Sequence, residues 1–369
     1  MTIHPITVPQ WGFAMESGVV SGWHIQPGDT VKEGDDVVDL ETTKIANVVE
    51  SPVSGTVRRL VGEEGQDLPV GALLAVVTDD AEADAAVDDF VVAFQEKFAA
   101  EGPALAVGPE PEFADIEGRS LRFLRSGAES GIPVLLIHGF GGDLDNFMFN
   151  RNELGAEYPL IALDLPGHGE SDKDVGSGDL TVLSGAVSGL IDHLGLGQVH
   201  IVAHSMGAAV AAELAETRPG SLASVTTICG ACYGNPVSGA YMDGFIAARR
   251  RKDLKPAAEM LFADKSLVTR AMLEDLLIYK RKDGVNDALT AIRNAVFADD
   301  RAPDYGAALA ALPVPVTAIW GAADAVVTPP DTLPEPIAAH PIADAGHMAH
   351  MEAAAAVNSV LLDRLRAAS

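Results

Sequence analysis

Only two cysteines, Cys229 and Cys232, occur in the 369 residues of this chain. Two thiols cannot build a disulfide framework, and their scarcity fits a reducing, cytoplasmic setting. Their C-x-x-C spacing would suit a redox or metal pair, but they end a predicted strand and have no helix N-terminus to lower a thiol pKa. No second ligand pair accompanies them, so no metal is expected. Cations are scarce too: 25 Lys and Arg stand against 53 Asp and Glu, a formal net charge of −28. Such a surface repels phosphate backbones and anionic bilayers, which argues against nucleic acid or a membrane as the main partner and leaves proteins and small molecules. No apolar run reaches bilayer length, and no basic stretch leads into an apolar segment at the N-terminus, so neither insertion nor export is expected. A dinucleotide-type glycine loop is also missing.

The length is too great for one small core and suits a small domain joined to one of ordinary enzyme size. The first part of the chain is an internal repeat. Gly18 pairs with Gly55, Gly28 with Gly65 and Gly34 with Gly71 at one constant interval, and the apolar pairs Val20/Val57, Val31/Leu68, Val37/Leu74 and Leu40/Val77 keep it. Short alternating runs punctuated by glycine predict two quasi-equivalent strand sets closing one all-β core. Lys44 falls where the copies meet, at the expected tip of a hairpin.

The stretch Glu41-Thr42-Thr43-Lys44-Ile45, with Gly34-Asp35-Asp36-Val37 before it and Glu50-Ser51-Pro52-Val53-Ser54-Gly55 after it, resembles a lipoyl domain of the 2-oxo-acid dehydrogenase type. The family usually has Asp or Ala where Thr43 stands, and the Met-Lys-Met of biotin carriers is absent. The resemblance implies a flattened β-barrel or sandwich over residues 1–78 with lipoate covalently attached to Lys44, a carrier rather than a catalyst.

Residues 79–111 read as an acidic linker. Within it Val87, Phe90, Val91, Phe94 and Phe98 fall on one helical face. Two readings are open: a helix laid against the following domain, or a docking helix for a partner enzyme. Gly102-Pro103 and Pro109-Glu110-Pro111 then form a spacer that cannot continue a helix.

From residue 112 to 369 strands alternate with helices, predicting a mostly parallel sheet covered on both faces. Residues 133–137, 159–163, 198–203 and 314–320 are apolar runs of buried-strand length. Helices are expected over 180–194, 206–217 and 349–366, and between about 233 and 305 the strand pattern gives way to a helical insertion placed to cap a site. Ala203-His204-Ser205-Met206-Gly207 follows a strand and opens a helix, the context of a nucleophile elbow. With His138-Gly139-Phe140-Gly141-Gly142, Asp164-Leu165-Pro166-Gly167-His168-Gly169, Asp324 after a late strand and His347 near the C-terminus, it resembles an α/β-hydrolase domain. That resemblance implies Ser205 as nucleophile, His347 as base and acid, Asp324 as its orienting carboxylate, and the backbone N–H groups of Phe140 and Met206 as oxyanion donors. His138 is expected to support its loop, and His168, His204 and His350 to pack or hydrogen-bond. Asp164 is the alternative acid, better suited to bracing its turn.

A lipoyl carrier joined to such a domain resembles the dihydrolipoamide acetyltransferase components of acetoin dehydrogenase complexes. The resemblance implies acetyl transfer from lipoyl-Lys44 to coenzyme A. It also implies a thiamine-diphosphate-dependent acetoin-cleaving dehydrogenase and a flavin dihydrolipoamide dehydrogenase as partners, around a homo-oligomeric core. The chain lacks the H-x-x-x-D-G motif of other acyltransferases and the length for a separate subunit-binding domain. Whether the acyl group passes through Ser205 or directly between thiols is open, as are a thioesterase or carboxylester hydrolase with a fused carrier and an inactive scaffold. Arg249, Arg250 and Arg251 cluster in the predicted cap with Lys252 and Lys255, and Lys280, Arg281 and Lys282 form a second group. Each run reads as a solvated face, as a site for coenzyme A phosphates, or as a patch that attracts the acidic carrier.

Overall fold

In the computed structural model, residues 3–11, 15–42, 46–79, 84–102 and 109–368 are described. The chain divides into two compact units, one made of residues 1–108 with 269–272 and the other of residues 109–268 and 273–369.

In the first unit the repeat becomes a sandwich of two four-stranded sheets. Strands β1 (Ile3–Thr7), β2 (Ser17–Trp23), β3 (Thr30–Val31), β4 (Asp36–Glu41), β5 (Ala46–Glu50), β6 (Gly55–Leu60), β7 (Asp67–Pro69) and β8 (Leu73–Thr78) assemble in the orders β1-β8-β6-β3 and β5-β4-β2-β7. The two orders are the same pattern carried by the two copies, with β2 and β4 matched by β6 and β8. Repeat-related Val20, Val37 and Leu40 and their counterparts Val57, Leu74 and Val77 are all fully buried in the common core. At the bends Gly28 and Gly65 have φ of +100° and +82°, a region that a side chain rarely adopts.

The helix that follows, α1 (Asp84–Glu101), corrects both sequence readings of residues 79–111. It covers its own carrier sheet. Val87 is fully buried against Leu73 and Val76 of β8, and Phe90, Val91 and Phe94 pack into the same cluster with Ile3 and Val61. Phe98 reaches the sandwich core beside Gly71. Ion pairs Arg58–Asp84 and Arg59–Asp88, both 2.8 Å, tie the helix's first turns to β6. The cause lies in β8, whose six residues are all buried. A strand apolar on both faces needs a second cover, and full burial of one valine alone contributes about 1.5–3 kcal/mol.

The second unit is built on one eight-stranded sheet. Its strands are β9 (Glu112–Ile116), β10 (Arg119–Gly127), β11 (Val134–Ile137), β12 (Pro159–Leu163), β13 (Val199–His204), β14 (Leu222–Ile228), β15 (Val316–Gly321) and β16 (Ala338–Ile342), in the order β16-β15-β14-β13-β11-β12-β10-β9. Only the β9–β10 and β10–β12 pairings are antiparallel. Every residue of β11, β13, β14 and β15 is buried, as a sheet covered on both faces requires. Helices α2 (Met148–Gly155), α3 (Leu180–His193) and α4 (Met206–Thr217) connect the early strands. Five helices, α5 (Gly239–Ala247), α6 (Arg251–Ala258), α7 (Arg270–Lys280), α8 (Val285–Val296) and α9 (Gly306–Ala310), lie between β14 and β15. The single helix expected over 349–366 is two, α10 (Ala349–Glu352) and α11 (Ala354–Ala368), parted at Ala353, whose φ of −129° and ψ of 49° are not helical.

Candidate active site

Ser205 stands at the turn from β13 into α4, at the carboxyl end of the parallel strands, where open α/β sheets bind their ligands. Its φ of 53° and ψ of −119° are strained for a residue with a side chain. The turn is pinned from both sides: Ser205 N–H donates to Ile228 O at 2.9 Å and Ala231 N–H donates to Ser205 O at 3.0 Å. Two glycines make room for it. A Cβ on Gly207 would lie 2.5 Å from His138 O, and one on Gly139 would lie 2.8 Å from the Ser205 Cβ. Ala203, where many elbows carry glycine, sits inside β13 and is fully buried there without displacing the turn.

Asp324 follows β15 and His347 follows β16, so neighbouring strands deliver both. Ser205 Oγ lies 2.9 Å from His347 Nε2, and His347 Nδ1 lies 2.8 Å from Asp324 Oδ2. The other oxygen of Asp324 accepts Val326 N–H at 2.8 Å and Val327 N–H at 2.9 Å. Burial alone would raise this carboxyl, but the His347 ring and the two N–H donors hold it below the ordinary carboxylate range. Ser205 and His347 are nearly inaccessible, at 6% and 2% exposure, so their interaction is little screened by water.

Phe140 lies in the loop after β11, and Met206 follows the serine in sequence. Met206 is the first residue of α4, so its N–H has no acceptor within the helix. Phe140 lies in the turn closed by Gly142 N–H donating to Gly139 O at 3.1 Å. The insertion reaches this turn: the Tyr241 hydroxyl donates to Phe140 O at 3.4 Å, and the Phe245 ring meets Phe140 edge-on at 6.5 Å. Neither cap aromatic was singled out in the sequence, because nothing along α5 distinguishes a residue facing the turn from one facing the cap interior.

Burial holds four further histidines near the site, His138, His168, His204 and His350, uncharged. His138 Nε2 accepts Leu165 N–H at 3.0 Å, so its proton is on Nδ1, which donates to Gly139 O at 2.7 Å. Burial lowers its pKa, and it braces the loop as anticipated. His204 Nε2 lies 3.0 Å from His347 O, a link that spacing could not reveal, and burial with two neighbouring histidines drives its pKa well down. Burial pushes both His168 and His350 down to about 3. Asp164 lies away from the relay and accepts Leu144 N–H and Glu170 N–H, each at 2.8 Å.

Lys44, with Thr43 and Ile45, lies outside the described residues. The flanking strands β4 and β5 pair antiparallel with Glu41 opposite Ala46, so the connection that carries this lysine joins two adjacent strands of one sheet. The cap arginines each have a neighbour. Arg249 Nη1 donates to Ile246 O at 2.7 Å, Arg250 pairs with Asp253 at 2.9 Å and Arg251 with Glu274 at 3.5 Å. Lys280 does not belong to an exposed cluster: it is buried at 3% exposure, donating to Ile246 O and Asn286 Oδ1, and burial lowers it to about 8. Cys229 and Cys232 are free and buried.

Comparison with known proteins identifies families for both parts of the chain. The α/β-hydrolase-fold family model matches residues 132–354, and the model described as biotin-requiring enzyme, covering biotin and lipoyl domains, matches residues 4–77. In fold the second unit is similar to a meta-cleavage product hydrolase from Pseudomonas fluorescens, at a TM-score of 0.63 and 19% identity over 70% of this chain and 98% of that one. The chain is therefore an α/β-hydrolase-fold protein with a biotin/lipoyl-type module. Across both units it is 45% identical to the dihydrolipoyllysine-residue acetyltransferase component of the acetoin cleaving system of Pseudomonas putida, over 99% of each chain. The corresponding component of Cupriavidus necator is 41% identical over 99% of this chain and 98% of its own. The chain belongs to the family of acetyltransferase components of acetoin cleaving systems.

Proposed function

We propose that this protein transfers an acetyl group from a lipoyl group on Lys44 to coenzyme A through an acyl-enzyme at Ser205. The observation that carries the reading is the complete Ser205–His347–Asp324 relay on the same chain as a lipoyl-type module. The lipoyl group, when attached, supplies a thiol that holds the acetyl group as a thioester on a long arm. His347 Nε2 takes the Ser205 proton as Oγ attacks the thioester carbonyl, and the N–H groups of Phe140 and Met206 face the oxyanion that develops. The C–S bond then breaks, and His347 returns the proton to the departing sulfur. In the second half His347 removes the proton of the coenzyme A thiol, sulfur attacks the acyl-serine, and Oγ leaves with that proton. Asp324 keeps the ring in the Nδ1–H tautomer and stabilises the imidazolium in both halves.

Arg249, Arg250 and Arg251 are proposed to meet the coenzyme A phosphates. Exposed ion pairs contribute little, so exchanging Asp253 or Glu274 for a phosphate costs little. The proposal includes a cytoplasmic homo-oligomer working with a thiamine-diphosphate-dependent acetoin-cleaving dehydrogenase and a flavin dihydrolipoamide dehydrogenase. The family membership supports it, and no helix among the described residues is long and apolar enough to cross a membrane. The test supplies acetyl-dihydrolipoamide with and without coenzyme A and measures acetyl-coenzyme A against acetate. Transfer predicts that acetyl-coenzyme A dominates when the thiol is present. Acetate as the main product in both cases would make the protein a thioesterase.

A further inference from the structure

Beside the relay, three loops meet at one side chain. Cys229 follows β14, and its own N–H donates to Ile319 O at 2.8 Å. Its Sγ accepts Gly321 N–H at 3.5 Å and donates to Gly346 O at 3.7 Å. Gly321 ends the strand that leads to Asp324, and Gly346 directly precedes His347. The carbonyl just before Cys229, that of Ile228, receives Ser205 N–H. Two adjacent residues thus touch the backbones that carry all three relay members. Sγ, an Asp324 carboxylate oxygen and a His347 ring nitrogen all lie within 4.8 Å of one another.

The junction has space for one side chain. A Cβ on Gly321 would fall 2.0 Å from Gly346 O, so those two loops approach each other backbone to backbone. Cys229 adopts a φ of +48°, a costly conformation for a residue with a side chain, and one that persists only where the surroundings hold it. Contacts of 3.5 and 3.7 Å are within reach of sulfur and too long for a hydroxyl oxygen. The thiol is fully buried, and burial followed by the nearby Asp324 charge pushes its pKa well up, so it remains an S–H donor and is no competing nucleophile.

We propose that Cys229 is a positioning residue for the Asp324–His347 half of the relay, its thiol joining the two loops that hold them. The inference rests on the reading of Ser205 as nucleophile. When His347 takes the serine proton it becomes an imidazolium whose stability depends on the carboxylate staying at hydrogen-bond distance. Removing the thiol leaves Gly321 N–H and Gly346 O without their shared partner, so the two loops are tied by the Ala323 N–H to Ala345 O hydrogen bond of 2.9 Å without the sulfur, and lets that distance lengthen. The titratable groups facing His347 are Asp324, Ser205, Cys229 itself, His204 and His350. Of these only the Asp324 contact passes through loops that Cys229 joins.

The test uses the full chain with p-nitrophenyl acetate, whose turnover requires the relay but neither lipoate nor coenzyme A. It compares pH profiles and melting curves of wild type, Cys229→Ala, Cys229→Ser and Ser205→Ala. Cys229→Ala is expected to lower kcat about tenfold, the worth of one neutral hydrogen bond, with KM little changed. The acid limb of kcat/KM should move to lower pH, because a weaker carboxylate contact makes the imidazolium easier to deprotonate. Cys229→Ser, which keeps a polar group of similar shape but insufficient reach, should show the same displacement to a smaller extent. An acid limb that stays in place in both variants, with losses that follow the fraction folded, overturns the inference and leaves the sulfur as packing. Turnover that survives Ser205→Ala overturns the nucleophile assignment and this inference with it.

Discussion

The two units carry function in opposite ways. In the carrier, the connection proposed to bear the lipoyl group joins β4 to the next strand, β5, so the strands on either side of it are adjacent in sequence as well as in the sheet. In the hydrolase unit, the Ser205–His347 hydrogen bond joins residues 142 positions apart, and the strands that deliver them are neighbours only in the folded sheet. A locally specified site tolerates substitution elsewhere provided that its small core closes. A site assembled from three loops depends on glycine-sized clearances at Gly139, Gly207, Gly321 and Gly346, each of which a methyl group would violate.

That contrast can be broken most sharply at Lys44. Lys44→Arg should abolish the lipoyl adduct in intact-mass analysis of protein made with a lipoate ligase, while p-nitrophenyl acetate turnover is retained. An adduct that persists would remove the lysine from its role. Next in size, Ser205→Ala should reduce acyl transfer at least about a hundredfold and leave lipoylation intact. Activity within a few-fold of wild type would make the serine structural. In the carrier, replacing Phe90 and Phe94 by serine should destabilise the isolated residues 1–102 by about 2–4 kcal/mol, read as a lower melting temperature. If that melting is unchanged, α1 is dispensable to the module.

Smaller effects separate buried from exposed charge. Because the Asp324 carboxyl is held below its ordinary value in the folded state, it favours folding above the unfolded pKa of about 3.9, and that contribution is lost as pH falls through the lower folded value. Urea unfolding of Asp324→Asn should therefore depend less steeply on pH below about pH 4 than wild type does. Parallel curves would mean that the carboxyl is not perturbed by its partners. Smallest of all, Arg251→Ala should leave the melting temperature unmoved, since its pairing with Glu274 is half exposed, while raising the KM for coenzyme A more than that for dephospho-coenzyme A. Equal KM values would place the 3′-phosphate elsewhere.

Much of this was legible in the residues. Glycine and valine spaced by a constant interval implied the sandwich, because a bend that needs positive φ and a core that needs branched apolar residues leave marks at fixed positions. Buried strands announced themselves as uninterrupted apolar runs, and the elbow by small residues around a serine. The position of α1 was not read, although β8 held the sign: Leu73-Leu74-Ala75-Val76-Val77 is apolar on both faces, and a strand with one wet face would alternate. The Lys280 side chain was misjudged for a related reason. A run of Lys-Arg-Lys looks like one solvated face, but α7 ends at Lys280, whose side chain turns inward over Phe245, and Arg281 and Lys282 lie in the turn beyond the helix.

By itself the sequence determined the two-domain division, the strand periodicity and the identity of the residues able to do chemistry, since these depend on composition and on spacing along the chain. Only the tertiary structure decided that Asp324 rather than Asp164 completes the relay, that His204 and Cys229 lie against its loops, and that the helix after the sandwich belongs to the carrier. Those outcomes turn on distances of about 3 Å between segments remote in sequence. Such distances are set by how sheets and helices pack together, and no local pattern encodes them.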